Sequence, residues 1–324
     1  MTPLPMKALS VVSAVYGCRD CLVALYERLC ASASQVTDDF ELVFVDDRSP
    51  DGAWDVLREL ARRDPRVRAY RLSRNFGETA AVTAGLSQSR GSWTVVIDCD
   101  LEEPPEAIPS LYAKAVEGYD VVSGARIARK HNLGRRVLGR TYRALTLGSM
   151  DGAEIGTLSI LSRKVVDAYL ELRDTEREFV IALAWLGFER ATVPFEHARR
   201  PDGKSAYSLR RLSRVALGGM FFRTTVLLRW VVLLGFLVAL VGAGLGAWIV
   251  YDYFTTTQPR GYASLAVLLI VLVGFVIIAL GVLGLYIGRI FEQVKGRPLF
   301  VIDEQALPEL QDADVDDEIR LARG

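Results

Sequence analysis

Over residues 1–200 the chain alternates between short apolar runs and stretches in which apolar residues recur at helical spacing. The apolar runs are rich in β-branched residues and end at turn residues, as buried strands do. The predicted strands are Leu9–Tyr16, Phe40–Asp47, Val67–Ser73, Trp93–Asp100 and Tyr119–Ala125. The predicted helices are Cys21–Ala33, Ala53–Arg63, Thr79–Ser89 and Glu106–Glu117. Because strands alternate with helices, we predict an α/β fold with a Rossmann-like, mostly parallel sheet.

Two later segments, Val231–Val250 and Ala263–Ile287, contain no charged residue. A helix of ~20 apolar residues crosses the ~30 Å hydrocarbon layer of a membrane. We therefore predict two transmembrane helices. The segment between them contains Gln258-Pro259-Arg260-Gly261, which favours a turn. The two spans are then expected to form a hairpin with both chain ends on the same side of the membrane.

The charges that flank these spans predict their orientation. Between positions 199 and 229 basic residues far outnumber the single acid, Asp202, and three more basic residues follow the second span by position 297. Because positive flanks stay in the cytoplasm, residues 1–200 and the C-terminus are predicted to be cytoplasmic. Residues 207–217 combine arginines with apolar positions at helical spacing, which predicts an amphipathic helix on the membrane surface. A basic helix packed on the soluble domain is the alternative.

These features divide the chain into a cytoplasmic catalytic domain (1–200), juxtamembrane helices (201–229), the two spans (230–288) and a cytoplasmic tail (289–324). From Asp303 to Glu318 the tail contains acids and no base, so we expect it to be solvated and disordered. Lys plus Arg equals Asp plus Glu at 39 each, which argues against a nucleic-acid partner. Hydrophobic residues make up 51% of the chain, which argues against a wholly soluble protein.

The four cysteines are too few for a disulfide scaffold. Cys18 and Cys21 form one Cys-x-x-Cys pair with neither a second pair nor a nearby histidine, so zinc or redox chemistry is not favoured.

Acidic residues end two of the predicted strands. Asp46 and Asp47 end the second, and Asp98 and Asp100 end the fourth. Ligands of parallel sheets bind beyond the carboxyl ends of the strands. Asp98, Asp100 and Glu102 are spaced by two residues, so in an extended chain they would share one side. Three clustered acids repel one another unless a cation neutralises them, and oxygen ligands favour Mg²⁺ or Mn²⁺. Solvated loop caps are the alternative.

Three motifs together resemble a known family. They are Val-Asp-Asp-Arg-Ser-Pro-Asp-Gly (45–52), Leu-Ser-Arg-Asn-Phe-Gly (72–77) and Asp-Cys-Asp-Leu-Glu-Glu-Pro-Pro-Glu (98–106). In this order they are similar to family-two glycosyltransferases of the GT-A fold. The resemblance is to the polyprenyl-phosphate branch, which includes dolichol-phosphate mannose synthases and bactoprenyl-phosphate glucosyltransferases. It runs from about Leu9 to Leu299 and includes the hairpin.

The resemblance implies transfer of one sugar from a UDP- or GDP-linked donor to a polyprenyl phosphate, with Mg²⁺ or Mn²⁺, in a homo-oligomer that could be a tetramer. It implies that the nucleotide sugar is bound by Tyr16, Asp47, Arg74 and Asp98. The implied metal ligands are Asp98, Asp100 and Glu102. The acceptor phosphate would be bound by Arg126, Arg200, Lys204, Ser205 and Tyr207. Of all these, the predicted catalytic residues are Asp98, Asp100, Arg126 and Arg200.

The chain departs from the family's pattern at three places. The first strand ends Tyr16-Gly17-Cys18 where the family has Tyr-Asn-Glu. Glu102 stands where the family has Gln. Thr157 lies in the segment where some relatives carry a proposed base. One alternative is therefore a catalytically impaired, membrane-anchored nucleotide-sugar binding protein. Another is a processive polysaccharide synthase, although the segment that ends in Arg229-Trp230 lacks the Gln of that family's Gln-x-x-Arg-Trp motif.

The expected acceptor removes the need for a base. A phosphate monoester has a second pKa of ~6, so it is largely ionised at neutral pH and is already a nucleophile. A metal would stabilise the departing diphosphate, and arginine forks suit the acceptor phosphate. We therefore predict direct displacement at the anomeric carbon with inversion of configuration.

Overall fold

The computed structural model describes residues 7–126, 155–174, 178–195, 226–255 and 262–308, which fall into two units. The described part of the first unit comprises residues up to 195 together with 298–308. The described part of the second comprises 226–255 and 262–297.

The first unit is built on one eight-stranded sheet. Its strands are β1 (Lys7–Val15), β2 (Phe40–Asp46), β3 (Val67–Leu72), β4 (Gly91–Asp98), β5 (Val121–Arg126), β6 (Ile155–Ser162), β7 (Arg190–Phe195) and β8 (Ile302–Ala306). Their order across the sheet is β7-β5-β6-β4-β1-β2-β3-β8. The central strands β4, β1, β2 and β3 are mutually parallel, whereas β6 and β8 run antiparallel to their neighbours. The predicted α/β fold with a mostly parallel sheet is confirmed.

Helices cover both faces of this sheet. They are α1 (Leu22–Ala33), α2 (Ala53–Arg63), α3 (Glu78–Gln88), α4 (Ile108–Ala115), α5 (Arg163–Glu171) and α6 (Phe179–Leu186). On one face α1, α2 and α4 bury leucines and Trp54 against the strands. On the other face α3, α5 and α6 bury small and aromatic residues, among them Tyr169 and Phe179. Because both faces are covered, the central strands are buried along most of their length, as expected of parallel strands.

The predicted elements and the observed ones agree in order and differ at their ends. The fourth predicted strand was expected to reach Asp100, but β4 ends at Asp98, and Leu101 has a left-handed backbone with φ of 61°. Strands β6, β7 and β8 were not predicted. The expectation of a disordered acidic tail is wrong at its start, because Ile302–Ala306 forms the edge strand β8. Antiparallel pairing with β3 orders that segment despite its acidic composition.

The described part of the second unit consists of two long helices, α7 (Val226–Thr255) and α8 (Tyr262–Val294). They approach each other at Gly235, where an added Cβ atom would lie 2.9 Å from the ring of Phe275. Among the described residues, one segment is long and apolar enough to cross a membrane, Leu272–Val294 in α8. The apolar segment of α7, Leu233–Gly242, is shorter.

Candidate active site

The two acidic pairs lie at the same edge of the sheet, on either side of β1. In the strand register Asp98 of β4 is opposite Ala14, and Asp46 of β2 is opposite Val15. The carboxyl ends of these parallel strands therefore carry the acids, at the edge where ligands of such sheets bind.

Asp47 organises the loop that follows β3. Its two carboxylate oxygens accept hydrogen bonds from the backbone N–H groups of Phe76 at 2.7 Å and Gly77 at 2.8 Å. Burial raises the pKa of Asp47, and the charge of Asp46 raises it further. The two backbone donors and Arg74 lower it, but the pKa remains above its usual value. The structure thus brings Asp47 and Arg74, two residues of the predicted nucleotide site, into one neighbourhood.

Tyr16 follows β1 and presents its side chain to solvent, with 53% of the residue exposed. The next residue, Gly17, has φ of 68°, a left-handed conformation that a glycine adopts without a steric cost. The N–H of Gly17 donates to the Ser49 hydroxyl at 3.3 Å. This bond joins the loops that follow β1 and β2, so the predicted nucleotide residues Tyr16 and Asp47 lie on connected loops.

Asp98 lies among other acids. Glu103, which is 1% exposed, accepts the N–H of Leu158 at 3.0 Å and that of Asp98 at 3.4 Å. Burial raises the pKa of Asp98 to about 8, and the charges of Glu103, Glu78 and Asp100 contribute to this. Without a positive charge nearby, Asp98 is therefore largely protonated at neutral pH, and a cation would favour its ionised form.

The convergence of Asp98, Asp100 and Glu102 on one metal ion stays a prediction. In the part of the chain that the structure describes, no group of three or more His, Cys, Asp or Glu side chains is arranged to hold a metal ion. Strand β4 ends at Asp98, and the chain then turns, where the N–H of Glu102 donates to Asp100 Oδ1 at 3.0 Å. A spacing of two residues gives a common side only in an extended chain.

Three residues of this acidic cluster were missed by the sequence analysis as site residues: Glu78, Glu103 and Thr157. Glu78 begins α3, and its side chain reaches solvent, yet partial burial of the carboxyl group raises its pKa, as does the charge of Asp100. The Thr157 hydroxyl is close enough to Glu78 and Asp98 to lower the pKa of each. The available signals were the position of Glu78 after a predicted strand and that of Glu103 inside the motif 98–106, whereas the contacts of Thr157 arise from the pairing of β4 with β6.

A disulfide joins Cys18, after β1, to Cys99, between the two acids after β4. Their Cα atoms lie 6.3 Å apart, within the range that a disulfide spans. Cys21, the other cysteine of the Cys-x-x-Cys pair, is not part of this disulfide. The register of β1 and β4, which no spacing along the chain reveals, brings Cys18 and Cys99 together.

The predicted acceptor-phosphate residues lie wholly or partly outside the described residues. Arg126 is the last residue of β5, opposite Phe195 of β7, but its side chain lies outside the described residues. The other predicted acceptor-phosphate residues also lie outside them; they are Arg200, Lys204, Ser205 and Tyr207.

The sheet and its acidic edge define an α/β protein with its candidate site at the carboxyl ends of the central strands. The family model described as glycosyl transferase family 2 matches residues 10–170. The glycosyltransferase YkcC of Bacillus subtilis (strain 168) is 33% identical over 304 residues, which cover 91% of this chain and 93% of that protein. The chain therefore belongs to glycosyltransferase family 2, as its motifs predict, and is a glycosyltransferase.

A second relative bears on the branch of the family. The undecaprenyl-phosphate 4-deoxy-4-formamido-L-arabinose transferase of Pseudomonas syringae pv. syringae (strain B728a) is 35% identical over 313 residues, covering 94% of this chain and 92% of that protein. The predicted resemblance to polyprenyl-phosphate glycosyltransferases is thereby confirmed. Among solved structures, glucosyl-3-phosphoglycerate synthase from Mycobacterium tuberculosis with Mn²⁺ and UDP-glucose matches at 18% identity and a TM-score of 0.42, over 65% of this chain and 76% of that one.

Proposed function

We propose that this glycosyltransferase moves a single sugar from a nucleotide sugar to a polyprenyl phosphate at the cytoplasmic face of the membrane. The observation that carries the proposal is the acidic edge of the sheet, where Asp98 and Asp100 lie in one cluster at the end of β4, and Asp47 and Arg74 in another after β2 and β3. Full-length similarity to a transferase named for undecaprenyl phosphate supports the choice of acceptor.

The donor would lie across the two acidic clusters. Tyr16, Asp47 and Arg74 would contact the nucleotide, the exposed ring of Tyr16 being free to lie against a base. Asp98 and Asp100 would hold Mg²⁺ or Mn²⁺, since a carboxyl group with a raised pKa among like charges is stabilised in its ionised form by a cation. When bound, such an ion would neutralise the diphosphate. Glu102, the third metal ligand that the resemblance implies, would complete this set.

The acceptor phosphate would supply its own nucleophile. Its second pKa of ~6 leaves it largely ionised at pH 7, so a phosphate oxygen can attack without losing a proton to a base. In the proposed reaction that oxygen forms a bond to the anomeric carbon while the bond from this carbon to the nucleoside diphosphate breaks. The resemblance assigns the acceptor phosphate to Arg126, Arg200, Lys204, Ser205 and Tyr207. A neutral hydroxyl at Thr157, in place of a base, is compatible with this chemistry.

The membrane part of the proposal goes beyond the one spanning segment found in α8. We propose that α7 is a second span and that the two form a hairpin preceded by a juxtamembrane segment at 201–229. Both long helices expose large apolar side chains, among them Phe236, Trp248 and Ile277. A membrane would cover these side chains.

The test is sugar transfer by the full-length protein in detergent or membranes. Labelled UDP-glucose, UDP-N-acetylglucosamine and GDP-mannose would each be supplied with undecaprenyl phosphate and Mn²⁺, and the lipid fraction would be counted. We expect one donor to label the lipid, and we expect EDTA to stop the reaction. Asp100→Asn should lower the rate by ~100-fold or more, because several kcal/mol of charge stabilisation would be lost.

A control variant and two outcomes complete this test. Glu59→Gln, which alters an exposed ion pair with Arg63 on α2, should transfer at the wild-type rate. Nucleotide-sugar binding without transfer from any donor would favour the impaired binding protein. Long polymer formed from the donor alone would favour a polysaccharide synthase.

A further inference from the structure

Strand β8 lies beside the loop that follows β2, although it comes after α7 and α8 in the sequence. It pairs with β3 over Ile302–Ala306, and the N–H of Ser73 donates to the carbonyl of Val301 at 2.9 Å. Ile302 also packs against the apolar cluster on the α3 face of the sheet. The C-terminal strand is therefore an integral part of the first unit.

Glu304 of β8 holds two side chains of that unit. One of its oxygens accepts a hydrogen bond from Arg71 Nη1 at 3.0 Å, and the other accepts from the indole N–H of Trp54, also at 3.0 Å. Trp54 is 4% exposed, so its indole N–H depends on a protein partner. Glu304 thus fixes the position of the Arg71 guanidinium group.

Arg71 in turn lies against the first acid of the Asp46-Asp47 pair. Its Nε atom is 3.1 Å from Asp46 Oδ2, and the Asp46 side chain is fully buried. The other Asp46 oxygen accepts the N–H of Ser49 at 2.9 Å. A buried carboxylate without a counter-charge is strongly unfavourable, so Arg71 stabilises Asp46 by its charge, although the two atoms are not aligned for a hydrogen bond.

The second acid of β8 acts on the same loop. Asp303 Oδ2 accepts a hydrogen bond from Arg48 Nη1 at 2.7 Å. Arg48 follows Asp47 directly and has φ of 60°, a left-handed conformation that is uncommon for a residue with a side chain. Its ion pair with Asp303 therefore contributes to holding the backbone turn next to Asp47.

We propose that Glu304 and Asp303 are positioning residues for the nucleotide sugar. They act through Arg71 and Arg48 on the loop 46–49, and through that loop on Asp47. This inference rests on the proposed function, in which Asp47 contacts the nucleotide. It predicts that loss of Glu304 weakens donor binding while leaving the acceptor site and the chemical step nearly unchanged.

The test compares Glu304→Ala, Glu304→Gln and Asp303→Asn with wild type in the full-length protein. Binding of UDP and GDP with Mn²⁺ would be measured by calorimetry, and the transfer assay would give kcat and the KM values of donor and acceptor. For Glu304→Ala we expect a donor KM and a nucleotide Kd raised about 3- to 10-fold, the coupling typical within one ion-pair network. Glu304→Gln, which keeps an acceptor for Trp54 but loses the charge, should fall between it and wild type.

Glu59→Ala is the matched control, because Glu59 has a similarly exposed side chain and an arginine partner but lies on α2 away from the loop. An unchanged nucleotide Kd in Glu304→Ala would overturn the inference. A 3- to 10-fold fall in kcat at saturating donor, with the donor KM unchanged, would overturn it as well. A wild type that binds UDP or GDP but transfers no sugar would refute the proposed function while the Kd comparison still tests Glu304. A wild type that binds neither nucleotide would refute both.

Discussion

Glu41 and Asp98 are carboxylates at opposite ends of the central strands, and their surroundings shift their pKa values in opposite directions. Burial would raise the pKa of Glu41, but hydrogen bonds from Ser10 and Arg90 and the charge of Arg68 more than offset it, so the pKa is lowered. The pKa of Asp98 is raised, because burial and acidic neighbours act together. The first arrangement is that of a structural ion-pair network; the second is characteristic of a functional site.

The Glu41 network yields a prediction for stability against pH. Because its folded-state pKa is lowered, Glu41 stabilises the fold above its unfolded pKa of ~4.3, and this is lost as pH falls through the folded value. Glu41→Gln should cost about 3 kcal/mol at pH 7, since Arg68 and Arg90 would lose a buried partner. Thermal unfolding at pH 7 and pH 3.5 should show a lower Tm for the variant at pH 7 and a smaller difference at pH 3.5. An equal difference at both pH values, or the same effect from exposed Glu27→Gln, would contradict this account.

Helix α3 packs against the sheet more closely than a side chain at Gly85 would allow. An added Cβ atom at that position would lie 2.3 Å from Val12 Cγ1 of β1. Since α3 also begins with Glu78 of the acidic cluster, the closeness of this contact determines where that carboxylate lies relative to β4.

Gly85→Ala is therefore expected to destabilise the protein by about 1–3 kcal/mol, the usual cost of overpacking. Ser87→Ala, at an exposed position on the same helix, should change the stability by less than ~0.5 kcal/mol. Thermal unfolding of the two variants in the same detergent tests the contact. A Gly85→Ala variant as stable as wild type would show that α3 does not pack as closely as the structure has it.

The elements differ in how well the sequence predicts them. Strands β1 to β4 are predicted to within about two residues because each is a short, mainly apolar run rich in β-branched or aromatic residues between turns. Strand β8 is missed because its acids resemble a disordered tail; its order comes from pairing with β3 and from partners such as Arg48 and Arg71. The site divides in the same way. The acids at strand ends are predictable because the apolar runs before them are visible in the sequence, whereas the contact of Glu103 with Leu158 and the Cys18–Cys99 bond depend on the register between strands.

For the whole molecule, the proposed hairpin predicts where each terminus and the intervening loop lie. Gln258→Cys, between the two helices, should react with a membrane-impermeant maleimide in intact cells, because we place this loop on the outer side. Arg320→Cys, in the tail, should react only after permeabilisation. Wild type, with its own cysteines, serves as the background control. Labelling of both positions only after permeabilisation would refute the two-span arrangement.

The proposed one-step transfer predicts the stereochemistry of its product. The acceptor phosphate is taken to attack the anomeric carbon directly, without a covalent intermediate on the enzyme. The most direct measurement is the anomeric configuration of the polyprenyl-phosphate sugar, read by NMR from the coupling at the anomeric carbon. We predict configuration opposite to that of the donor sugar; a product with the donor's configuration would contradict direct displacement at the acidic edge of the sheet.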